Sequence, residues 1–362
     1  MKKQLKTLVI LVVVVALLAA LYFVVRAIQA RRQAEEEAAA AQDEVVYLYE
    51  PDTITELTVT NPSGTFSYAY NDFLSAWSYL DDESYTLDKD AMNKFANELM
   101  QAKIERTLEV TDTLSAYGLE DPDYVLQLKD EEGTACTLYF GKQSGDGENY
   151  YVMRNDEDVI YNVTTNVYTY LDNTVLDYVA YTEPDTTSMD AITSIELAYG
   201  GHTYTLVKGA ETAETDGDDA QYVWTLETDV DGYAGQDTEI QACVDEIVEL
   251  ITQKGVRFTG CVDYNVDDLT RTSYGLDGSF VLKVNAQVAE GEDASDDGET
   301  TASWSMTIGN ANLNYNDRGD VLNGWYPVQL EGDMAIVQWN YTNVNTLTAL
   351  VEAVTGEPVG ES

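Results

Sequence analysis

The chain has 362 residues, of which 65 are acidic, 19 are basic and one is histidine, so its formal net charge is -46. This charge argues against a nucleic-acid partner, because phosphate binding needs clustered Lys and Arg. One histidine argues against a His-ligated zinc site or a histidine relay. With 44% hydrophobic and 10% aromatic residues, the chain still has the material for a core. Its length suggests about two domains with additions.

The first predicted element is an apolar helix from Leu8 to Val25, eighteen residues without a break. At about 1.5 Å per residue it is roughly 27 Å long, enough to cross a bilayer core. The basic stretch from Arg26 to Arg31 is a poor cleavage site for a signal peptidase. A lipoprotein would carry a cysteine directly after the apolar run, but the first is Cys136. We therefore predict that residues 1–32 are an uncleaved membrane anchor.

Charge distribution predicts the orientation of this anchor. Residues 1–32 carry six basic residues and no acidic one, so the rest of the chain has 13 basic against 65 acidic residues. Such an acidic body is repelled by the anionic inner leaflet. We expect an N-terminus inside the cell, an Ala/Glu-rich stalk at residues 33–45, and a body outside the cytoplasm.

Along the body, one order of elements is predicted twice. Each copy starts with strands, the third of which carries a tryptophan (Trp77 or Trp224), and an amphipathic helix follows. Asp88 and Asp237 are the predicted N-caps of the two helices. The pairs Lys103/Arg106 and Lys254/Arg257 are expected to end them, where cations meet the negative end of the helix dipole. A short closing helix is expected near 164–171 and near 344–354.

A Tyr-Gly-Leu turn follows the helix in each copy, and the second of the strands that come next ends on glycine. The residues that define these turns are Tyr117, Gly118, Leu119 and Gly141 in the first copy, and Tyr274, Gly275, Leu276 and Gly309 in the second. The predicted fold class is α+β: two tandem repeats of a mostly antiparallel sheet, each with one main packed helix. The boundaries are 46–185 and 186–362.

These turns and the strands after them resemble a family of bacterial envelope proteins, the domain-of-unknown-function 4340 family. The best match is the sequence from Tyr117 to Pro122, and the second copy lacks the proline. Members of that family are often encoded beside permease and ATPase components of ABC-type exporters of the gliding-motility kind. The resemblance therefore implies an extracytoplasmic protein associated with a transporter, and it supplies no catalytic residues.

Tyrosine is the most abundant aromatic residue, with 26 against 7 Phe and 5 Trp. Half-exposed sheet faces account for most of these residues, since tyrosine suits strands. The sharper alternative is a partner surface near the glycine turns, formed by Tyr150, Tyr151, Trp325 and Tyr326.

Other candidate sites are weaker. His202 lies in a strand-like segment, where a lone histidine is more often structural. A Cys243–Cys261 disulfide is possible by position but lacks supporting spacing. The acidic segment from Asp229 to Gly232 and the alternating Asn312 to Asp317 segment offer oxygen ligands without a complete calcium-loop pattern. We expect no cofactor, no metal and no catalytic residue.

Three functions follow in order of preference. The first is a non-catalytic, membrane-anchored accessory or scaffold protein that assembles with ABC-type transporter subunits or other envelope proteins. The second is a surface module that binds glycan or peptide ligands through Tyr- and Trp-rich faces. The third, weaker, is an envelope hydrolase that uses two carboxylates about 5–10 Å apart.

Overall fold

The structure, a computed structural model, describes residues 26, 45–110, 113–145, 147, 149–155, 157–184, 191–212, 221–286 and 303–359. The predicted membrane helix and nearly all of the predicted stalk lie outside these residues. Within the described ranges, no helix is both long and apolar enough to cross a membrane.

Five α-helices lie in the described part of the chain, and two of them are only about one turn long. They are α1 (Lys89–Met100), α2 (Leu114–Tyr117), α3 (Thr238–Glu249), α4 (Asp268–Ser273) and α5 (Tyr341–Thr355). Two 3₁₀ turns (Val167–Tyr170 and Val175–Tyr178) and a π-helical turn after α3 (Leu250–Lys254) complete the helical elements.

Most of the regular structure consists of strands. Those before residue 180 are β1 (Ile54–Asn61), β2 (Gly64–Asn71), β3 (Ala76–Tyr79), β4 (Lys103–Glu109), β5 (Tyr124–Asp130), β6 (Ala135–Gln143), β7 (Tyr150–Arg154) and β8 (Val159–Thr164). Those after it are β9 (Ile192–Tyr199), β10 (His202–Thr212), β11 (Gln221–Thr228), β12 (Phe258–Tyr264), β13 (Phe280–Ala286), β14 (Trp304–Ile308), β15 (Asn312–Tyr315), β16 (Val321–Leu330) and β17 (Ala335–Asn340). The fold class is α+β, with two mostly antiparallel sheets and few helices.

The two sheets have the same strand order. The first runs β3-β2-β1-β5-β6-β7-β8-β4, and the second runs β11-β10-β9-β13-β14-β16-β17-β12. Each strand of the first sheet thus has a counterpart at the same place in the second. The exception is β15, which has no counterpart and pairs with β16 beside the main order.

Residue contacts divide the chain into two compact units. The minor unit comprises the described parts of Met1–Glu50, Glu98–Pro122 and Leu138–Asn166. The major unit comprises Pro51–Asn97, Asp123–Thr137 and the described parts of Val167–Ser362.

Apolar periodicity explains the long helices. Met92, Phe95 and Leu99 on α1 are fully buried, and so is Val344 on α5. Asp88 accepts hydrogen bonds from the Asp90 and Ala91 amides. Asp237 caps α3 in the same way, through the Glu239 and Ile240 amides, so both predicted N-caps are confirmed.

Two predictions about helices need correction. Lys103 and Arg106 lie on β4 and not at the end of a helix, since α1 ends at Met100 with no basic residue in its last turn. The short closing helix predicted near 344–354 is instead a long packed one, since α5 buries Leu347, Leu350 and Val351 in the same core as α3.

Candidate binding site

The first Tyr-Gly-Leu turn ends helix α2. Gly118 has φ 74°, and its amide donates to the Ser115 carbonyl at 3.1 Å, while the Leu119 amide donates to the Leu114 carbonyl at 2.9 Å. This pair of bonds is the Schellman motif, in which a left-handed residue satisfies the last carbonyl groups of a helix. Glycine adopts that conformation without a Cβ penalty. Leu119 is then buried, 2% exposed.

Gly141 lets this turn lie directly on strand β6. A Cβ atom at residue 141 would collide with the Tyr117 carbonyl oxygen, and one at Gly118 would lie 2.9 Å from the Lys142 backbone nitrogen. Both glycines are therefore required by a close approach of two backbones. The turn and the end of β6 form one rigid junction in the minor unit.

The second Tyr-Gly-Leu turn repeats these contacts in the major unit. The Gly275 amide donates to Thr272 at 2.9 Å, and the Leu276 amide donates to Arg271 at 3.0 Å. A Cβ atom at Gly309 would collide with the Tyr274 carbonyl oxygen and lie 2.9 Å from Cγ of Pro327. Since the Gly309 amide also donates to the Pro327 carbonyl at 2.8 Å, this junction fixes strand β16 next to Tyr326.

The four residues of the predicted partner surface lie on the two corresponding strands, β7 and β16. All four are half-buried. Neighbouring residues of one strand point to opposite faces of its sheet, so each pair contributes at most one side chain to a given face. Tyr151 makes an edge-to-face contact with Tyr117, with ring centroids 5.0 Å apart, so that it supports its own turn.

Tyr326 lies on a groove of about 360 Å³ in the major unit. Leu313 on β15 and Val321 on β16 line the same groove. The Leu313 side chain lies across β16 at Gly324, where a Cβ atom would collide with Cδ2 of Leu313 and lie 2.7 Å from the Asn312 carbonyl oxygen. One wall of the groove therefore depends on β15, the strand that the first sheet lacks.

Helix α5 provides the opposite wall. The residues that line it are spaced at i, i+4, i+7, i+8 and i+11, which places them on one helix face. They are Tyr341, Asn345, Thr348, Ala349 and Glu352. The buried face of α5 packs into the core, so the lining face and the core face belong to one rigid helix.

Glu352 is the only charged residue among the described residues that line the groove. Its Oε1 accepts a hydrogen bond from the Val359 amide at 2.8 Å, which orients the carboxylate. Burial, and secondarily the charge of Glu352, raises the pKa of the Tyr199 phenol. The groove thus has a negative end and an aromatic end, the latter formed by Tyr326 and Tyr341.

A second groove in the major unit, about 560 Å³, lies beside Tyr181, Tyr264 and Asp333. Asp333 accepts hydrogen bonds from the Thr182 amide at 2.8 Å and the Ala335 amide at 3.0 Å. This carboxylate holds two chain segments in place, and Glu331 is a second acidic residue that lines the groove.

The weaker candidates have structural roles. Asp229 accepts from the Thr203 amide at 2.9 Å and lies 3.3 Å from Nδ1 of His202. The Thr203 hydrogen bond, followed by His202, lowers the pKa of Asp229. Asn312 and Asn314 are on strand β15, with Asn314 donating to Asn323 at 2.7 Å.

All three cysteines, Cys136, Cys243 and Cys261, are free. Burial raises the pKa of the Cys261 thiol to about 12. The possible Cys243–Cys261 disulfide is therefore not formed.

Sequence reasoning missed the groove itself. The spacing of Tyr341, Asn345 and Glu352 is typical of one helix face and could have indicated the groove wall. Sequence reasoning predicts only a short closing helix near 344–354. It also missed an exposed apolar tip between β2 and β3, where Phe73 is 94% exposed and Leu74 is 66% exposed.

Comparison with known proteins identifies one family. A family model described as "Domain of unknown function (DUF4340)" matches residues 77–299. This confirms the resemblance inferred from the turns and strands. The matched segment ends before β14, so the groove lies outside it. No curated protein and no solved structure matches the chain significantly.

Proposed function

The chain belongs to the DUF4340 family, and from that premise we propose that it is a non-catalytic, membrane-anchored accessory or scaffold protein outside the cytoplasm. In this proposal the anchor holds the body at the membrane, and the body presents a binding surface to an envelope complex. The groove between α5 and the β15–β16 pair carries the proposal. It combines aromatic, apolar and polar side chains on rigid elements, as ligand-binding sites do.

The sequence supports the location. The uninterrupted apolar run from Leu8 to Val25 is long enough for one membrane span, and basic residues lie on both sides of it. The acidic body that follows suits the outer side of the membrane better than the anionic inner leaflet.

An ABC-type exporter is the partner that we propose first. It rests on the family resemblance, since members are often encoded beside exporter components. A folded body on a single anchor is suited to hold a transporter subunit or exported material near the membrane.

The two sheets support a finer description of the body, as two tandem repeats over 46–185 and 186–362. Their strand orders coincide, and both contain the Tyr-Gly-Leu junction with the same hydrogen bonds. Duplication of one ancestral unit accounts for both observations. The second copy then acquired β15 and a longer α5, which are the elements that form the groove.

A second candidate function is a surface module for glycan or peptide ligands. The observation that favours it is the pair of tyrosines in the groove, Tyr326 and Tyr341, together with the hydrogen-bonding side chains of Asn345 and Thr348. Aromatic faces with a few polar groups are the usual means of recognising such ligands.

The carboxylate-dependent hydrolase is the weakest alternative. A general acid of this class needs a carboxyl group with a raised pKa. Wherever a carboxyl pKa is shifted in the described residues, the shift is downward, as for Glu105, beside Lys103, and for Glu157, which accepts from Tyr161.

Crosslinking in native membranes tests the proposal. The full chain is crosslinked mildly, solubilised and purified, and transporter subunits are sought by mass spectrometry. We expect recovery of permease or ATPase components, reduced by Tyr341→Ala in the groove. Tyr315→Ala is the matched control, since Tyr315 is exposed and does not line the groove. Recovery of the chain alone contradicts the transporter assignment.

A further inference from the structure

The chemistry of the groove specifies its occupant more closely than the proposed function does. Tyr341 and Glu352 are eleven residues apart on one face of α5. At about 1.5 Å per residue they lie roughly 16 Å apart along the helix. A ligand that reaches both ends is therefore extended, and at about 3.3 Å per residue a strand of about five residues spans that length.

The middle of the groove suits a peptide backbone. Asn345 and Thr348 lie between the two ends on the same helix face, and Ala349 keeps the groove open because its side chain is small. An amide and a hydroxyl side chain supply both donors and acceptors, which the N–H and C=O groups of an extended chain require.

The two ends call for different side chains. Tyr326, Tyr341 and Leu313 offer an apolar and aromatic environment at one end. At the other end the Glu352 carboxylate accepts a hydrogen bond from the Val359 amide, and none of the described residues that line the groove is basic. A Lys or Arg side chain complements that carboxylate, and the strongly negative chain attracts basic segments in general.

We propose that this groove binds an extended, basic peptide segment of a partner protein, with an apolar side chain at the Tyr326/Tyr341 end and a Lys or Arg at the Glu352 end. The inference rests on the proposed role as a binding protein and names the ligand class of the same site. A neutral glycan lacks the required cation.

The test uses two fluorescent pentapeptides and the full chain in detergent. One peptide is Leu-Ala-Ala-Ala-Arg, and the other has Gln in place of Arg, both with amidated C-termini. We expect the Arg peptide to bind about fivefold more tightly at 150 mM salt, the effect of one exposed charge pair. Ala349→Phe, which fills the groove, abolishes binding of both peptides.

The matched pair Glu352→Gln and Glu357→Gln separates the site from general attraction. Both variants remove one negative charge from an exposed residue at the same end of the chain, but only Glu352 lines the groove. Discrimination between the peptides is lost in Glu352→Gln and kept in Glu357→Gln. Thermal melting confirms that each variant is folded.

Several results overturn the inference. Equal affinity for the two peptides does so, as does discrimination that survives Glu352→Gln, or binding that survives Ala349→Phe in a folded variant. Direct binding of a neutral oligosaccharide, with no binding of either peptide, also overturns it and assigns the groove to glycans. Peptide binding without any transporter subunit in the crosslinking experiment contradicts the exporter proposal alone, so the two failures are distinguishable.

Discussion

The two sheets share a strand order but secure their last strands in different ways. In the first sheet, Arg154 at the end of β7 donates hydrogen bonds to the Leu48 carbonyl at 2.9 Å and to the Glu157 carboxylate at 3.0 Å. Tyr161 on β8 donates to the same carboxylate at 2.6 Å. In the second sheet, helix α5 follows β17 directly and buries Val344 in the core.

This difference gives the two sheets different surroundings. Arg154, Glu157 and Tyr161 form a polar cluster in the minor unit, and Arg154 holds the segment 46–48 through its bond to the Leu48 carbonyl. The backbone of this segment pairs with the start of β4, since the Leu48 amide donates to the Ala102 carbonyl and the Ile104 amide donates to the Val46 carbonyl. That segment directly follows the predicted stalk in the sequence. The helix in the major unit instead exposes one face beside β16, and that face lines the groove.

The largest expected effect concerns the close glycine junctions, which both sheets contain. Gly309→Ala forces a Cβ atom against the Tyr274 carbonyl and the rigid ring of Pro327, and Gly141→Ala meets the Tyr117 carbonyl and the flexible Leu119 side chain. We expect losses of about 2–4 kcal/mol in the free energy of unfolding, larger for Gly309. Denaturant unfolding of the full chain in detergent measures them.

Gly260→Ala is the control for this comparison, because a Cβ atom there has nothing within 4 Å. We expect a change below about 0.5 kcal/mol. If Gly141→Ala and Gly309→Ala are as mild as the control, the close junctions do not exist as described.

The next effect concerns β15, the strand that only the second sheet has. Gly324→Ala pushes Leu313 and the Asn312 carbonyl away from β16. We expect a loss of about 1–2 kcal/mol, confined to β15, because the main strand order does not include that strand. Hydrogen exchange should rise in residues 312–315 and stay unchanged in β13 and β14. Equal exchange in all these strands would mean that β15 and the sheet unfold together.

A smaller effect concerns the polar cluster of the first sheet. The Tyr161 hydrogen bond, and then Arg154, lowers the pKa of Glu157 from its ordinary value of 4.5. A lowered folded-state pKa gives stability that is present above about pH 4.5 and lost as the pH falls through the folded-state value. We expect Glu157→Gln to lower the melting temperature by about 2 °C at pH 7 and by less below pH 4.

Melting curves of the wild type, Glu157→Gln and the exposed-site control Glu131→Gln, taken between pH 3 and pH 7, check this result. If the difference in melting temperature between wild type and Glu157→Gln is constant over that range, the ionised Glu157 carboxylate does not stabilise the cluster.

The smallest effect concerns the tip between β2 and β3. Phe73 is 94% exposed, so Phe73→Ser removes almost no buried surface. We expect the melting temperature of the full chain to change by less than about 1 °C. A clear loss of stability would place Phe73 in a contact that the structure lacks.

Local patterns were sufficient for much of the fold. Phe280, Leu282 and Val284 alternate along β13 and are all buried, and the predicted acids Asp88 and Asp237 cap α1 and α3. Both signals are local, since a strand repeats every second residue and a cap needs only the next three amides. The Lys103/Arg106 assignment failed because a basic pair is equally compatible with the strand β4 that forms there.

By itself, the sequence determined the α+β class, the family, the helices α1 and α3 with their N-caps, and the Tyr-Gly-Leu turns, because each depends on neighbouring residues. Only the tertiary structure decided that Gly141 and Gly309 are needed for the close approach of backbones distant in sequence. It also decided the surroundings of the two corresponding tyrosines: Tyr326 lines a groove, and Tyr151 packs on Tyr117. A strand pattern specifies which face a side chain occupies, but what covers that face depends on elements elsewhere in the chain.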